Sequence, residues 1–270
     1  MQPEGFVQSQ PTSIEHPRTV SVLDVPLALT DYSRTVASMD EMIAGPWPGY
    51  ICVCNVHTVM SSSEDPELRA ALLGSSFNVP DGQPLVWAIN SLGYSLTGRV
   101  YGPELMAQAC AHATSRGHRF YLYGGRNQGA LVQLALNLRT RYPGVKIVGG
   151  YSPPHRMLTD EEQDAIVEEI NDSRADVVWV GIGVPKQEKW MARMRPLLEA
   201  PVLVGVGAAF DFHAGLVPQA PTWLQEAGLE WAYRLAHEPR RLWRRYFRYN
   251  PRFLGAFARQ LAEQRLRPAR

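Results

Sequence analysis

One acidic residue on a tight turn and one arginine among glycines are the side chains best suited to group transfer. Asp81 lies between Pro80 and Gly82, directly before an apolar, helix-like run. Proline fixes φ and glycine permits a positive φ, so the backbone itself holds such an acid in place. Arg99 follows Gly98, and its planar fork of donors suits a phosphate. A base and an anion clamp could move a group off a phosphate leaving group, although a turn aspartate and a surface arginine give the same pattern.

Further polar candidates come directly after predicted buried strands. Asn55 and Thr58 follow a short β-branched run, and Lys186 and Gln187 follow the nearly continuous apolar stretch 176–183. Open α/β sheets place ligands in the crevice beyond the carboxyl ends of such strands. The lysine would equally suit a solvated helix end, whereas a glutamine at this junction favours a binding role.

Two other stretches suggest a binding turn and argue against a metal. Gly124 and Gly125 join a predicted strand to a helix, whose first N–H groups could meet an anion. The turn does not match G-x-G-x-x-G, so a plain strand–helix connection explains it as well. Asp211 and His213 resemble an Asp-x-Asp metal motif only loosely, because histidine replaces the second acid. We therefore predict no metal site and expect Asp211 to brace its turn.

The elements that must position these residues alternate between strand and helix. Four or five such units are visible, including a helix over 30–43, a strand over 50–54 and a helix opened by a capping box at Thr159. Strands that are apolar throughout are typical of a sheet covered on both faces. The pattern predicts an α/β, Rossmann-like fold, with a mostly parallel sheet and helices on both faces.

Composition limits the class of protein. The chain has 270 residues, of which 45% are hydrophobic and 20% charged, as in a globular protein with a sizeable core. We expect a disordered lead-in at 1–18, since it lacks the basic and apolar regions of a signal peptide, and one α/β domain at 19–233. Three cysteines that cannot all pair favour a reducing, cytoplasmic location. No run approaches the roughly 20 apolar residues of a membrane span.

The last part of the chain, 234–270, has a different charge. It contains eleven arginines against Glu238 and Glu263, a net +9, so the rest of the chain carries 1 − 9 = −8. Aromatic residues alternate with these arginines at helical spacing. Such a basic amphipathic extension suits an anionic membrane surface or a phosphate-bearing substrate, but a helix packed on its own domain fits the pattern equally well.

Several ordered segments together resemble the WecG/TagA/CpsF glycosyltransferases, over about Val20 to Leu254. Where that family often carries a threonine two residues before the asparagine, this chain has Val53. The segments that carry the resemblance begin at Asn55, Pro80, Gly98, Phe120, Val180, Gly207 and Gly228.

The resemblance implies an inverting, metal-independent and cofactor-free hexosyltransferase of bacterial cell-surface polysaccharide synthesis. The donor would be a UDP-sugar carrying N-acetylmannosamine, its uronic acid or a glucose-type hexose. The acceptor would be a polyprenyl-diphosphate-linked saccharide, as in the assembly of teichoic acid, enterobacterial common antigen or exopolysaccharide. The protein would act at the inner face of the cell membrane as a peripheral protein, and a homo-oligomer is left open.

The resemblance also assigns roles to residues. Asp81 would be the general base that deprotonates the acceptor hydroxyl, and Arg99 would meet the charge of the leaving UDP. The expected substrate-binding residues are Asn55, Thr58, Gln83, Gly124, Gly125, Lys186, Gln187, Asp211, Arg234, Arg240, Arg241 and Arg244.

Two other classes remain open at this point. A non-catalytic nucleotide- or polyanion-binding module would share the fold and the basic extension. An NAD-dependent oxidoreductase would need the G-x-G-x-x-G turn, which is missing. A nucleic-acid partner is disfavoured because the body is acidic and few aromatics cluster with basic residues outside the extension.

Overall fold

The computed structural model describes residues 16–221, 223–224 and 230–266. Its centre is an eight-stranded sheet in the order β1-β2-β4-β3-β8-β7-β5-β6. Only β1 is antiparallel to its neighbour, so the predicted mostly parallel α/β sheet is confirmed. The strands are β1 (Thr19–Val22), β2 (Val25–Ala28), β3 (Gly49–Cys54), β4 (Phe77–Pro80), β5 (Arg119–Gly124), β6 (Lys146–Tyr151), β7 (Val177–Gly181) and β8 (Val202–Gly205).

Helices connect the strands, and several begin at the caps that the sequence provides. Asp31 and Asn127 each accept a hydrogen bond from a backbone N–H of the helix they open, and Thr159 forms the predicted capping box with Glu162. The described helices are α1 (Tyr32–Ala44), α2 (Val56–Ser62), α3 (Pro66–Leu73), α4 (Gln83–Ser91), α5 (Gly102–Arg116), α6 (Gln128–Arg141), α7 (Asp160–Asp172), α8 (Lys186–Met194), α9 (Ala209–His213), α10 (Glu230–His237) and α11 (Pro239–Leu266).

Both faces of the sheet are buried, and each has its own apolar cluster. Along β3, Cys52 and Cys54 face one cluster while Ile51 and Val53 face the other. Helices α2, α3, α4, α7, α8 and α11 contribute to the first cluster, and α1, α5, α6 and α9 contribute to the second. This two-sided burial explains why the central strands are apolar at nearly every position. The three cysteines are buried thiols rather than disulfides.

The C-terminal helix packs partly on the body of the domain. Phe253 and Phe257 are buried in the first cluster. Gln260 reaches the β1–β2 turn, where its Oε1 accepts from the Leu23 N–H at 2.8 Å and its Nε2 donates to the Ser21 carbonyl at 2.9 Å. Leu23 takes a left-handed φ of 49°, a strained conformation for a branched residue. The part of the extension that contains Phe253, Phe257 and Gln260 therefore packs on its own domain rather than facing a membrane or a substrate.

Other parts of the extension face outward. Phe247 and Leu254, seven residues apart on α11, are both exposed, and Trp243 is half-exposed nearby. Among the helices that the structure describes, none has the length and apolar character needed to cross a bilayer. Most of the expected lead-in, at 1–15, and the side chains of Arg241 and Arg244 lie outside the described residues. The division of the chain at residues 18 and 233 stays a prediction.

Candidate active site

A cleft of about 1340 Å³ opens at the carboxyl edge of the parallel strands. The residues that follow β3, β4, β5, β7 and β8 all reach this edge because the strands run in the same direction. Of the expected site residues, Asn55, Asp81, Gly125, Lys186, Gln187, Asp211 and Arg234 line the cleft. The described remainder, Thr58, Gln83, Arg99, Gly124 and Arg240, lie outside its lining.

The turn after β4 places Asp81 in the lining of the cleft. The Asp81 N–H donates to the Cys54 carbonyl at 2.6 Å, and the Val100 N–H donates to the Pro80 carbonyl at 2.8 Å. Gly82 has a φ of 119° and begins α4, which a residue with a side chain would rarely allow. The Asp81 side chain is 18% exposed. The main chain on both sides of the Asp81 side chain is therefore fixed, and the residue lines the cleft.

Arg99 lies beside Asp81, but a second carboxylate also holds it. Its Nη1 is 3.9 Å from Asp81 Oδ1, and its Nη2 donates a close hydrogen bond to Glu230 Oε2. The guanidinium also stands 4.4 Å above the centre of the Tyr101 ring. Burial alone would lower the pKa of Arg99, but the charges of Asp81 and Glu230 outweigh it and raise that pKa. The cation is thus permanent and satisfied by protein groups.

This arrangement differs from the expected clamp on a leaving phosphate. Two carboxylates occupy the guanidinium of Arg99, and the side chain is only 17% exposed. Glu230, at the start of α10, was not singled out from the sequence, because a glutamate at a helix start usually faces solvent. Here its side chain is 6% exposed. The ion pair with Arg99 therefore accompanies the burial of the Glu230 side chain.

Asn55 and Thr58 form one unit at the start of α2. Asn55 Oδ1 accepts from the Thr58 N–H at 3.2 Å, and the Thr58 hydroxyl lies 3.4 Å from Asn55 N, which makes a capping box. Thr58 is fully buried. It therefore fixes the orientation of Asn55, which is the member of the pair that lines the cleft.

The glycine turn after β5 has a packing role as well as a place in the cleft. A Cβ on Gly124 would come within 2.5 Å of the Gly181 carbonyl oxygen, so only glycine lets the ends of β5 and β7 approach. Gly125 has a φ of 89°, and its N–H donates to the Gly181 oxygen at 3.1 Å. Gly124 therefore serves the packing of β5 against β7, as in an ordinary strand–helix connection, whereas Gly125 lines the cleft.

Asp211 is paired with a residue that the sequence did not single out. Arg126, the residue after Gly125, makes two hydrogen bonds to it, from Nε to Oδ1 at 3.0 Å and from Nη2 to Oδ2 at 3.2 Å. The hydrogen bond to Asp211 raises the pKa of Arg126. The pair joins the turn after β5 to α9, and the expected role of Asp211 in substrate binding stays a prediction. Arg126 directly follows the two glycines of the predicted binding turn, and this position could have indicated it from the sequence.

Gln187, in the first turn of α8, packs against the end of β8 at the base of the cleft. It is 1% exposed, and its Nε2 donates to Glu188 Oε1 at 2.9 Å. A Cβ on Gly205 or Gly207 would lie 3.1 to 3.4 Å from its amide group. Within the described residues, Gln187 Oε1 has no hydrogen-bond partner. A buried acceptor beside the cleft is suited to a donor group of a ligand.

Three cations at the cleft, Lys186, Arg193 and Arg234, form no ion pair with another described residue. In the part of the chain that the structure describes, no carboxylate lies within 4.0 Å of Lys186, Arg193 or Arg234. Lys186 begins α8, whose start has no side-chain cap and carries the positive end of the helix dipole, while the Gln187 N–H donates to the Gly183 carbonyl at 2.9 Å. Arg234 stands 5.4 Å from the centre of the Phe212 ring. Together they make this side of the cleft suitable for an anion.

Lys189, by contrast, is neutralised by its surroundings. Its Nζ lies 2.7 Å from Asp65 and 2.9 Å from Glu67. Arg240 is exposed and lies away from the cleft lining, and Gln83 is half-buried at the start of α4. Roles for Gln83 and Arg240 in substrate binding stay predictions.

Comparison with known families gives a match over most of the chain. The model of the glycosyl transferase WecG/TagA/CpsF family matches residues 20–267. The match includes the sheet, the cleft and both C-terminal helices.

Proposed function

The chain belongs to the WecG/TagA/CpsF glycosyltransferase family, and we propose that it moves a hexose from a UDP-sugar to a polyprenyl-diphosphate-linked saccharide. Family membership makes it a glycosyltransferase of cell-surface polysaccharide synthesis, with a nucleotide-sugar donor and a lipid-linked acceptor. The UDP donor, the hexose, inversion and independence from metal are the finer points of the proposal.

The position of Asp81 is the observation that carries the proposal. It is an acid fixed by backbone hydrogen bonds at the carboxyl edge of the sheet, beside a cleft large enough for a nucleotide-sugar and an acceptor. Its carboxylate accepts the proton of the acceptor hydroxyl as that oxygen bonds to the anomeric carbon. The bond between the anomeric carbon and the diphosphate oxygen breaks at the same time, and its electron pair leaves on UDP. Attack opposite the leaving group inverts the anomeric centre.

Arg99 and Glu230 act on this step through Asp81. The guanidinium holds the carboxylate by charge, and Glu230 holds the guanidinium from the far side. A fixed cation near a carboxylate base favours its ionised form. A second carboxylate beside the cation opposes this effect, so the base keeps more of its affinity for a proton. Arg99 is therefore a positioning residue in our proposal, rather than the phosphate clamp expected from the sequence.

The leaving diphosphate meets other cations. Within the described residues no carboxylate lies within 4.0 Å of Lys186, Arg193 or Arg234, and the positive end of the α8 dipole lies beside Lys186. Groups that are already in place where charge develops stabilise the transition state without reorganisation. This set can neutralise a diphosphate without a divalent ion, which supports metal independence.

The remaining cleft residues orient the donor and the acceptor. Asn55, held by Thr58, and Gln187, with a buried acceptor oxygen, offer hydrogen bonds to sugar or base. Gly125 leaves backbone room for a phosphate or ribose to approach. Asp211 keeps Arg126 beside the same opening.

The outward side of α11 supports docking on the inner membrane surface. Phe247 and Leu254 are exposed along a helix that also carries many arginines. Aromatic and aliphatic side chains insert at the lipid interface, and basic residues are drawn to anionic headgroups. A lipid-linked acceptor would then be held near the cleft opening.

Measuring UDP release with a panel of UDP-sugars tests the proposal. Each donor is incubated with a polyprenyl-diphosphate-linked acceptor and with none, and NAD is run in parallel. One donor should give acceptor-dependent UDP release and a product of inverted configuration. Binding of UDP-sugar without turnover for every donor would favour the non-catalytic module, and reduction of NAD would favour an oxidoreductase.

A further inference from the structure

A cluster of one carboxylate and two imidazoles lies away from the cleft. Asp40 belongs to α1 and His112 to the last turns of α5, and His118 follows α5 by two residues. Gly117 ends α5 with a left-handed φ of 75°, a conformation that glycine adopts readily. That turn brings His118 back beside His112, so three separate segments converge on one point.

The ligand-type atoms of these residues are close together. Asp40 Oδ2 lies 2.7 Å from His112 Nε2, and Asp40 Oδ1 lies 3.0 Å from His118 Nε2. One ligand atom from each residue can be chosen so that all lie within 4.8 Å of one another. Zinc binds nitrogen and carboxylate oxygen at about 2.0–2.2 Å, which places tetrahedral ligands roughly 3.3 Å apart. Small side-chain rotations would bring this cluster to that spacing.

We propose that Asp40, His112 and His118 bind a divalent transition-metal ion, with zinc as the best fit. Two imidazoles and one carboxylate suit zinc and its first-row neighbours, whereas calcium and magnesium prefer oxygen ligands throughout. The side chains are 24%, 33% and 16% exposed in that order, so the ion can enter from solvent. Three protein ligands leave a fourth position for water.

Binding of the ion replaces the contact between each Nε2 and Asp40 by a bond from Nε2 to the metal, and a neutral imidazole then only changes tautomer, without loss of a proton. A neutral histidine that donates from Nε2 must carry its hydrogen on Nδ1 when Nε2 ligates a metal. Arg116 is the other cation nearby, with its Nε 3.8 Å from Asp40 Oδ2. Its side chain is 62% exposed, so it can move into solvent when the ion takes its place.

The position of the cluster gives the ion a structural role. His118 directly precedes the first residue of β5, so the cluster lies at the amino end of the strands, opposite the cleft. An ion there would tie α1, α5 and β5 together and would not reach the transferred sugar. The inference is independent of the proposed transferase chemistry.

Metal titration of the full chain without an affinity tag tests the site. Wild type should bind one equivalent of Zn²⁺ by calorimetry with a Kd of about 10 µM or tighter, and Co²⁺ should give the visible absorption of a four-coordinate site. The variants His112→Gln and His118→Gln keep a side-chain N–H that can donate to Asp40 but lose the imidazole ligand. Each should weaken Zn²⁺ binding by roughly 100-fold or more.

A charge control separates a metal site from a hydrogen-bonded brace. Arg116→Gln removes the competing cation and should bind Zn²⁺ at least as tightly as wild type. Zn²⁺ should raise the unfolding midpoint of wild type and of Arg116→Gln, but not of the histidine variants, because a ligand that binds only the folded state stabilises it. Failure of folded wild type to bind, or equal affinity in the histidine variants, would overturn the proposal.

Discussion

Arg99 and Glu230 form a buried ion pair between residues 131 positions apart in the chain. The pair joins the loop after α4 to the first residue of α10, and its cation also faces Asp81. The C-terminal segment thereby contributes to the surroundings of the proposed base.

Asp81→Asn should reduce kcat by roughly 10²–10⁴-fold, because the amide cannot accept the acceptor proton. Asparagine is tolerated at a turn, so circular dichroism and the unfolding midpoint should stay close to wild type. UDP release under saturating substrates is the measurement, with Asp172→Asn on the exposed end of α7 as the matched control. Normal turnover of folded Asp81→Asn would place the base elsewhere.

Glu230→Gln should lower kcat by roughly tenfold to hundredfold, because Arg99 would then be balanced by Asp81 alone and would draw it out of position. Loss of a nearby negative charge favours ionised Asp81, so the acidic limb of the pH–rate profile should move to lower pH. The profile of kcat against pH for both proteins is the check. An unchanged limb with a lower unfolding midpoint would leave Glu230 with a structural role only.

Arg234→Gln should reduce kcat by roughly 10²-fold while the Kd for UDP-sugar changes less, since the leaving group gains charge in the transition state. The assay uses a water-soluble acceptor analogue, so membrane docking does not enter. Arg259→Gln, exposed on α11, serves as the control for loss of one charge. Equal losses in binding and in kcat would assign Arg234 to ground-state binding.

Transfer should continue in EDTA at a temperature well below the unfolding midpoint. Lys186, Arg193 and Arg234 supply positive charge at the cleft, and Asp211 is engaged by Arg126. Stripping an ion from the Asp40 cluster should lower the unfolding midpoint without stopping turnover. A strict need for Mg²⁺ or Mn²⁺ would contradict the proposed neutralisation by side chains and make Asp211 the first candidate ligand.

The double variant Phe247→Ser, Leu254→Ser should bind anionic vesicles at least roughly tenfold more weakly, since burial of each such side chain contributes about 1.5–3 kcal/mol. Wild-type binding should also weaken as salt rises, because attraction to headgroups is screened beyond roughly 8 Å at physiological ionic strength. Vesicle sedimentation measures both effects. Val132→Ser, Leu136→Ser on exposed α6 is the matched control, and equal binding of the two double variants would remove α11 as the docking surface.

Local patterns were sufficient for the fold and for part of the cleft. Strand β7 is apolar at each position because both of its faces are buried. Such a run can be predicted as a strand from its own residues, without knowledge of the neighbouring strands. Asp81, Gln187 and Lys186 follow strand ends, and parallel strands bring those ends to one edge. The expectation that the strands are parallel was enough to predict that these three residues lie at the same edge of the sheet.

Side-chain partners could not be predicted in the same way. The pairing of Glu230 with Arg99 depends on where α10 returns to the body, and that of Arg126 with Asp211 depends on the order of β5, β7 and β8. Charge alone does not distinguish an arginine that meets a phosphate from one that is held by two carboxylates. Arg99 was therefore expected at the leaving group, and the structure shows it between Asp81 and Glu230.

The contact between Gln260 and the β1–β2 turn has a consequence for synthesis on the ribosome. Its two hydrogen bonds join residues 237 and 239 positions apart, so neither can form until nearly the whole chain has left the exit tunnel. Domains generally fold as units during synthesis, and here the strained turn at Leu23 gains these hydrogen bonds only when α11 has emerged. A nascent chain halted before residue 260 would carry a hairpin whose turn still lacks its final support.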